Sequence, residues 1–495
     1  MLLQLKLGAK ELNAQEQPFQ FLEETPQGPL TCTLAVSTSS QEPISLADCS
    51  SASDWYLFPN VDVSKCLVTC TLYSNGQLFA RASLLRADYQ NYHGCVSRPL
   101  FDVSLNIIGS VSLSYHVITS FPTSSSVTSV APTPASYFTS LPSSLRVGHR
   151  GSGNSMKSID NFRAMFQENT ILSFLKAAEQ VDFIELDVQL TSDHVPIIIH
   201  DMYVVDSPSR DSYSPVYSMT LDKLNRATTH LLNSHAQMDS AVVAPKSSTN
   251  EPFVRPKSMN NLAAMVITDS PEARPLTIKD PRNNARLEPR MSIRDVIPTL
   301  QRVLEKLPLK CGLNIEVKYP DDLFLRENPT FSFPERNLFV DIILDVCYKY
   351  AKTRKIIFSS FDPDVCSCLK VKQNTWPVLY LTTASTEERT DSRMYSLEDA
   401  MDWCEKAGLD GIVSESSTLV SDPESITRVL SKGLILFSYG YLNNNVADIL
   451  IQAEKKIHGV ISDSLKNLVK AIPMKPISPS RTVQKRLDFN TELVN

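Results

Sequence analysis

From Leu145 onward the chain alternates. Short apolar runs of strand length are followed, one after another, by stretches with helical periodicity. Helical patterns cover Leu338–Tyr350, Pro363–Val371, Leu397–Ala407, Pro423–Ser431 and Val446–Lys456, and each precedes another strand-type run. Strand and helix taking turns build a parallel sheet, because parallel neighbours need a crossover between them. The strand-type runs centre on Val147, Ile184, Ile315, Phe358, Leu379, Ile412, Phe437 and Ile461, which makes eight. Eight is the number that closes a TIM (β/α)8 barrel, and that fold sets its working residues at the strands' C-terminal ends. The expected class is α/β, a TIM barrel preceded by a smaller β-rich, sandwich-like domain.

That domain is expected over residues 1–120. Short β-type runs there (Leu30–Val36, Trp55–Phe58, Cys66–Tyr73, Gln77–Leu84 and Asp102–Val117, broken at Gly109) are separated by polar turns. Val103, Leu105, Ile107, Val111 and Leu113 alternate as half-buried strand residues do, and His93 and His116 read as structural or exposed. Residues 121–144 are a Ser/Thr/Pro-rich linker. The barrel follows over 145–466, with a long polar insert at 206–290 of the kind that forms lids or binding loops. Residues 467–495 read as a polar tail. A net charge of −6 argues against a general nucleic-acid binder. No apolar run approaches the roughly 18–20 residues that span a bilayer, and the first residues lack a signal-peptide core. Ten scattered cysteines suggest reduced thiols in a cytoplasmic protein.

The polar residues at the strand ends carry the chemistry. Val181 to Asp201 reads as a strand, a polar reversal and a short return, hence a hairpin. Ile184, Leu186 and Val188 share one face; Glu185, Asp187 and Gln189 share the other. If Asp193-His194 is a two-residue turn, Asp187 pairs directly across from His200. The bland alternative is an edge hairpin with a solvated polar face. Against it, the same logic recurs at Asn314, Glu316 and Lys318, which share one strand face. His149 and Arg150 end the first strand, flanked by Gly148 and Gly151, whose bareness lets backbone approach a ligand. Glu185, Asp187 and Glu316 would give three hard oxygen ligands, which suit Mg²⁺ or Ca²⁺ better than zinc. Arg150 and Lys318 would add cations, so an anion such as phosphate is the natural guest. His149 and His200 could divide acid and base work, which together suits phosphodiester cleavage.

These residues bring a family resemblance. From Val147 to about Asp463 the chain resembles the glycerophosphodiester phosphodiesterases. The matching segments are His149-Arg150-Gly151, Glu168-Asn169-Thr170, Glu185-Leu-Asp187, His200-Asp201, Glu316-Val-Lys318, Phe358-Ser-Ser-Phe361, Phe437-Ser-Tyr-Gly440 with Asn443-Asn444, and Gly459-Val-Ile-Ser-Asp463. The resemblance implies a divalent metal on Glu185, Asp187 and Glu316, an acid–base pair in His149 and His200, and phosphate held by Arg150 and Lys318. It makes Glu168, with Asn169 beside it, a support that orients Arg150. The chain is most similar to the eukaryotic cytosolic branch acting on glycerophosphocholine. His194 stands where many members have a turn glycine, and Tyr439, facing the alcohol, where many have Trp. Members often carry a starch-binding-type domain; residues 1–120 show no aromatic-rich carbohydrate platform, which argues against glycan binding there.

The resemblance implies hydrolysis of a small glycerophosphodiester, glycerophosphocholine first, to sn-glycerol 3-phosphate and an alcohol. The alternatives are a lysophospholipase D acting on an acylated substrate, and a non-catalytic barrel scaffold. Of the histidines, His200 is expected to be the acid, because its hairpin arm is the more movable.

Overall fold

The computed structural model describes residues 1–8, 18–22, 30–39, 41–46, 54–89, 91–122, 144–153, 167–205, 213–227, 296–330, 333–383, 391–394 and 396–473. All eight anticipated runs form barrel strands: β1 (Leu145–Gly148), β2 (Phe183–Leu190), β3 (Gly312–Val317), β4 (Ile356–Ser360), β5 (Val378–Thr382), β6 (Gly411–Glu415), β7 (Ile435–Tyr439) and β8 (Gly459–Ser462). Each runs parallel to the next, and β1 pairs with both β2 and β8, so the sheet closes. The helices that follow them in turn are α1 (Ile171–Ala177), α2 (Leu300–Lys306), α3 (Arg336–Tyr350), α4 (Pro363–Lys372), α5 (Leu397–Ala407), α6 (Glu424–Ser431), α7 (Val446–Glu454) and α8 (Leu465–Ala471). Thr170 caps α1, its side chain accepting from Ser173 N.

Strand alternation sorts the side chains into two cores. Ile184, Leu186 and Val188 pack outward beneath the helices. Leu145, Val147, Phe183, Ile357, Leu379, Val413, Phe437 and Ile461 fill the lumen. Continuing each lumen-facing row toward the C-terminal end brings the polar residues to the mouth.

The hairpin after β2 differs from expectation by one residue. Its return strand, Pro196–Ile198, pairs Val188 with Ile198 and Leu190 with Pro196. Ile199 N donates to Asp187 O, so Ile199 stands opposite Asp187 and His200 lies one step further. The cause is a three-residue turn. His194 N donates to Thr191 O and Thr191 N to Val195 O. His194 takes φ +60°, the left-handed position that closes such turns and favours glycine.

Two boundaries also change. The tail expected from residue 467 begins as α8, whose Leu465 and Leu468 are buried in the outer core. The insert expected over 206–290 is ordered where it is described, 213–227. Tyr203–Val205 pairs with Tyr213–Pro215, and Val216, Met219 and Leu224 pack with Ile197. The linker expected at 121–144 lies, over 123–143, outside the described residues, as do 206–212, 228–295 and 474–495.

The β-rich domain is present as one nine-stranded antiparallel sheet around its own core. The run read at Asp102–Val117 is a strand only over Ile107–Ile118, continuous through Gly109 where a break was expected, and His93–Phe101 forms a further strand that the sequence pattern did not mark. Between them the Asp102 carboxylate accepts from Ser104 N and Asn106 N. That turn leaves Val103 and Leu105 exposed, 72% and 80%, rather than half-buried. The sequence reading missed Leu2–Leu7, which is buried on both faces. Leu3, Leu5 and Leu7 enter the sheet's core, while Leu2 joins the barrel's outer core with Trp55 and Ile118. The two units thus share buried contacts. Asn337 of α3 accepts from Thr119 N at 2.8 Å and donates to Val117 O at 2.9 Å. The Arg393 guanidinium lies between Trp55 and Trp403, 4.6 and 4.7 Å from their ring centres. His116 is buried in this contact, and desolvation pushes it down to about 3, so it stays neutral.

Candidate active site

The β2–β3 register sets Asp187 beside Glu316 on the lumen face, with Glu185 one pleat below. Ligand oxygens of Glu185, Asp187 and Glu316 all lie within 4.8 Å of one another, and all three residues are buried. Such crowding is unfavourable without a cation. Desolvation, then Asp187, pushes Glu185 up to about 8. Desolvation also raises Glu316. Asp187 is held well below the usual carboxylate range despite its burial, by Lys318, His200 and Arg150. Glu185 Oε1 is buried with no hydrogen-bond partner. An orphaned oxygen and three clustered hard donors fit a divalent cation of the Mg²⁺ or Ca²⁺ type.

Cations border the cluster. Lys318 Nζ stands 3.4 Å from Asp187 Oδ1 and 3.6 Å from Glu316 Oε1. Arg150 Nη1 donates to Glu168 Oε1 at 2.6 Å, and its Nε lies 3.4 Å from Asp187 Oδ2. Arg150 N donates to Glu185 Oε2 at 2.8 Å. Arg150 makes it at φ +49°, strain of the kind working sites hold. Asn169 supports the same residues, donating from Nδ2 to Asp187 Oδ2 at 2.9 Å and from N to Arg150 O at 3.0 Å. The glycines after Arg150 serve packing. Gly151, at φ +94°, lies against Ser173 and Phe174 of α1, where a Cβ would clash.

The two histidines occupy opposite electrostatic settings. His149 Nδ1 bonds Asp463 Oδ1 at 2.7 Å, and Nε2 faces Glu185 Oε2 at 3.8 Å. Burial opposes its charge, but Asp463 and Glu185 prevail and lift it to about 9. His200 Nδ1 bonds Asp201 Oδ1 at 2.8 Å. Burial, Arg150 and Lys318 together lower His200, which favours the neutral ring. In each case an aspartate fixes Nδ1 and leaves Nε2 for chemistry.

Every expected site residue except Tyr439 meets this one cluster. Tyr439 sits at the mouth on β7, against Phe361. Three positioning residues were not assigned roles from the sequence. Asp463 and Asp201 orient the histidines. Asn444 Oδ1 accepts from Asp463 N at 2.9 Å, and its Nδ2 donates to Asp463 Oδ2 at 3.3 Å. The signal for Asp463 was its place one residue past β8, because Gly148 pairs with Ser462.

Residues 149–467 match the model of the glycerophosphoryl diester phosphodiesterase family. The chain belongs to that family. It is similar to the glycerophosphocholine phosphodiesterase gde1 of Schizosaccharomyces pombe, 33% identical over 337 residues, covering 66% of this chain and 28% of that protein. It is similar to the glycerophosphodiester phosphodiesterase GDPD2 of Arabidopsis thaliana, 31% identical over 345 residues, covering 68% and 80%. Against the human glycerophosphocholine phosphodiesterase GPCPD1 the values are 30% over 341 residues, 65% and 44%. The chain thus spans less than a third of the length of the yeast relative. Among solved structures, an Oleispira antarctica phosphodiesterase in complex with sn-glycerol-3-phosphate aligns with a TM-score of 0.42 at 18% identity, covering 68% of this chain and 99% of that one. Among the described residues no helix is long and apolar enough to cross a membrane.

Proposed function

We propose that the chain hydrolyses glycerophosphodiesters, with glycerophosphocholine as the principal substrate, releasing sn-glycerol 3-phosphate and choline. The observation that carries this is the meeting of three buried carboxylates, two cations and two differently charged histidines at one barrel mouth. Relatives named glycerophosphocholine phosphodiesterases support the choice of substrate.

Glu185, Asp187 and Glu316 would hold a divalent ion, Mg²⁺ or Ca²⁺. Bound there, the ion supplies Lewis-acid charge to the phosphoryl oxygens. Arg150 and Lys318 clamp the anionic diester and stabilise charge as it builds on phosphorus. Neutral His200 takes at Nε2 a proton from the attacking water, whose oxygen forms the new P–O bond. Charged His149 gives its Nε2 proton to the departing choline oxygen as the old P–O bond breaks. Acid and base are therefore reversed relative to the sequence expectation. The Asp463 carboxylate against His149 and the cations around His200 support the reversal. Asn444 and Asp463 act as positioning residues for the acid, and Glu168 and Asn169 for Arg150. A cytoplasmic setting is consistent with the nine described cysteines being free, Cys32 and Cys70 included, whose sulfurs lie 3.4 Å apart.

The test is a turnover panel of glycerophosphodiesters with choline, ethanolamine, inositol and glycerol head groups, run beside lysophosphatidylcholine. Fastest turnover of the deacylated choline substrate supports the reading. Preference for the acylated substrate would replace it with a lysophospholipase D, and no turnover of any would leave a scaffold.

A further inference from the structure

Among the described residues, the proposed reaction leaves the mouth carboxylate of Glu415 without a part. On β6, Val413 packs in the lumen core, so Glu415, two residues on, shares its face and reaches the mouth. The strand order sets β6 and β7 across the barrel from β2 and β3, which bear the carboxylate cluster. Glu415 is in register with Tyr439 of β7. Tyr439 meets Phe361, beyond β4, edge to face, with ring centres 6.0 Å apart and planes at 87°. Both rings rest on the lumen core.

Two contacts fix the Glu415 carboxylate. Ser417 Oγ donates to Oε2. Oε1 lies over the bare Cα of Gly440, where a Cβ would come within 3.2 Å. Gly440, at φ +111°, follows Tyr439 directly, so the carboxylate lies against the backbone next to Tyr439, its register partner. The other described mouth carboxylates each have a partner: Arg150 for Glu168, Lys318 for Asp187 and Glu316, His149 for Asp463 and Glu185, and the His200 ring for Asp201. No cation pairs with Glu415 among the described residues.

A carboxylate with no counter-ion among the described residues, in register with one of two packed aromatic rings, suits a cation that has no N–H to donate. We propose that Glu415, with Phe361 and Tyr439, forms a subsite for a quaternary ammonium group, and that Glu415 sets the preference for cationic over neutral head groups. The assignment to head groups rests on the phosphodiesterase reading. Charge then orients the substrate across the mouth. Its phosphate meets Arg150 and Lys318 on one wall, where a second cation would be repelled, and its trimethylammonium meets Glu415 on the other.

The experiment uses the full chain with its divalent ion and the near-isosteric Glu415→Gln. The kcat/KM of glycerophosphocholine is divided by that of glycerophosphoinositol, and tetramethylammonium binding is followed by calorimetry. The ratio should fall about tenfold through KM, within the range of cation–aromatic and carboxylate pairing. Glu415→Asp should keep part of the preference and Glu415→Lys should abolish it. Tetramethylammonium should bind the wild type and not Glu415→Gln. A ratio unchanged within about twofold, or an equal loss on both substrates, overturns the proposal. If the wild type turns over neither substrate, the phosphodiesterase reading fails. The titration still decides the subsite: equal binding to both proteins overturns it, and binding lost with the carboxylate supports it.

Discussion

His149 and His200 are the same ring in different fields, and the difference predicts how each mutant fails. Asp463 holds a proton on His149 against its burial, whereas burial, with Arg150 and Lys318, drives one from His200. His149→Ala should slow choline release about 10²–10⁴-fold, the usual span for a general acid, and largely spare a nitrophenyl ester of the same phosphate. His200→Ala should slow both. Steady-state kinetics on the two esters check this, and the opposite pattern would restore His200 as the acid. A second prediction concerns stability. Glu185 titrates near 8 in the folded chain against an ordinary 4.5. Between those values the folded state holds more protons than the unfolded chain, so stability of the metal-free protein falls as pH rises from 4.5 to 8. Glu185→Gln should flatten that slope in denaturant titrations. An identical slope in the variant would show that Glu185 is not the crowded group. The cluster was legible in the sequence because hard-ligand and cationic residues sat on lumen faces at strand ends. Asp463 was not assigned a role because its partner is 314 positions away and only the β1–β8 register joins them.

The β2 hairpin shows where pattern reading stops at the scale of an element. Alternation placed Glu185 and Asp187 on one face, and that holds. The register depended on turn length, which alternation does not contain, so His200 moved one residue from its expected place. The same turn leaves His194 at φ +60°. His194→Gly should raise stability by about 0.5–1 kcal/mol, since a side chain in that region costs roughly 1–2 kcal/mol and glycine returns part as backbone entropy. Thermal unfolding of the metal-bound protein measures it; a lowered midpoint would mean the ring makes contacts that outweigh the strain. The barrel strands were legible because each carries a short apolar run and most are separated from the next by one stretch of helical periodicity. Leu2–Leu7 was not, because its inner burial depends on a sheet core and its outer burial on the barrel. Val103 and Leu105 failed for the converse reason: a local Asp102 turn overrode a strand-like alternation.

At the scale of the molecule, the N-terminal sheet is docked rather than merely tethered. Asn337, Lys372 and Arg393 reach from the barrel to Thr119, Val117 and Trp55. The full chain should therefore unfold in one transition. A fragment beginning at residue 144 should unfold several degrees lower, about what a loss of 1–3 kcal/mol produces in a domain of this size. Calorimetry distinguishes this from two independent transitions, which would mean the interface contributes little. Docking of this kind leaves the carboxylate cluster to the barrel alone, since every residue of that cluster comes from positions 149–463. The most direct test of the account is glycerophosphocholine turnover by the full chain before and after chelation. Choline and glycerol phosphate should be released, the release should be lost with EDTA, and it should return on adding Mg²⁺ or Ca²⁺. Undiminished turnover in a metal-free preparation, or none in the presence of either ion, would contradict the account.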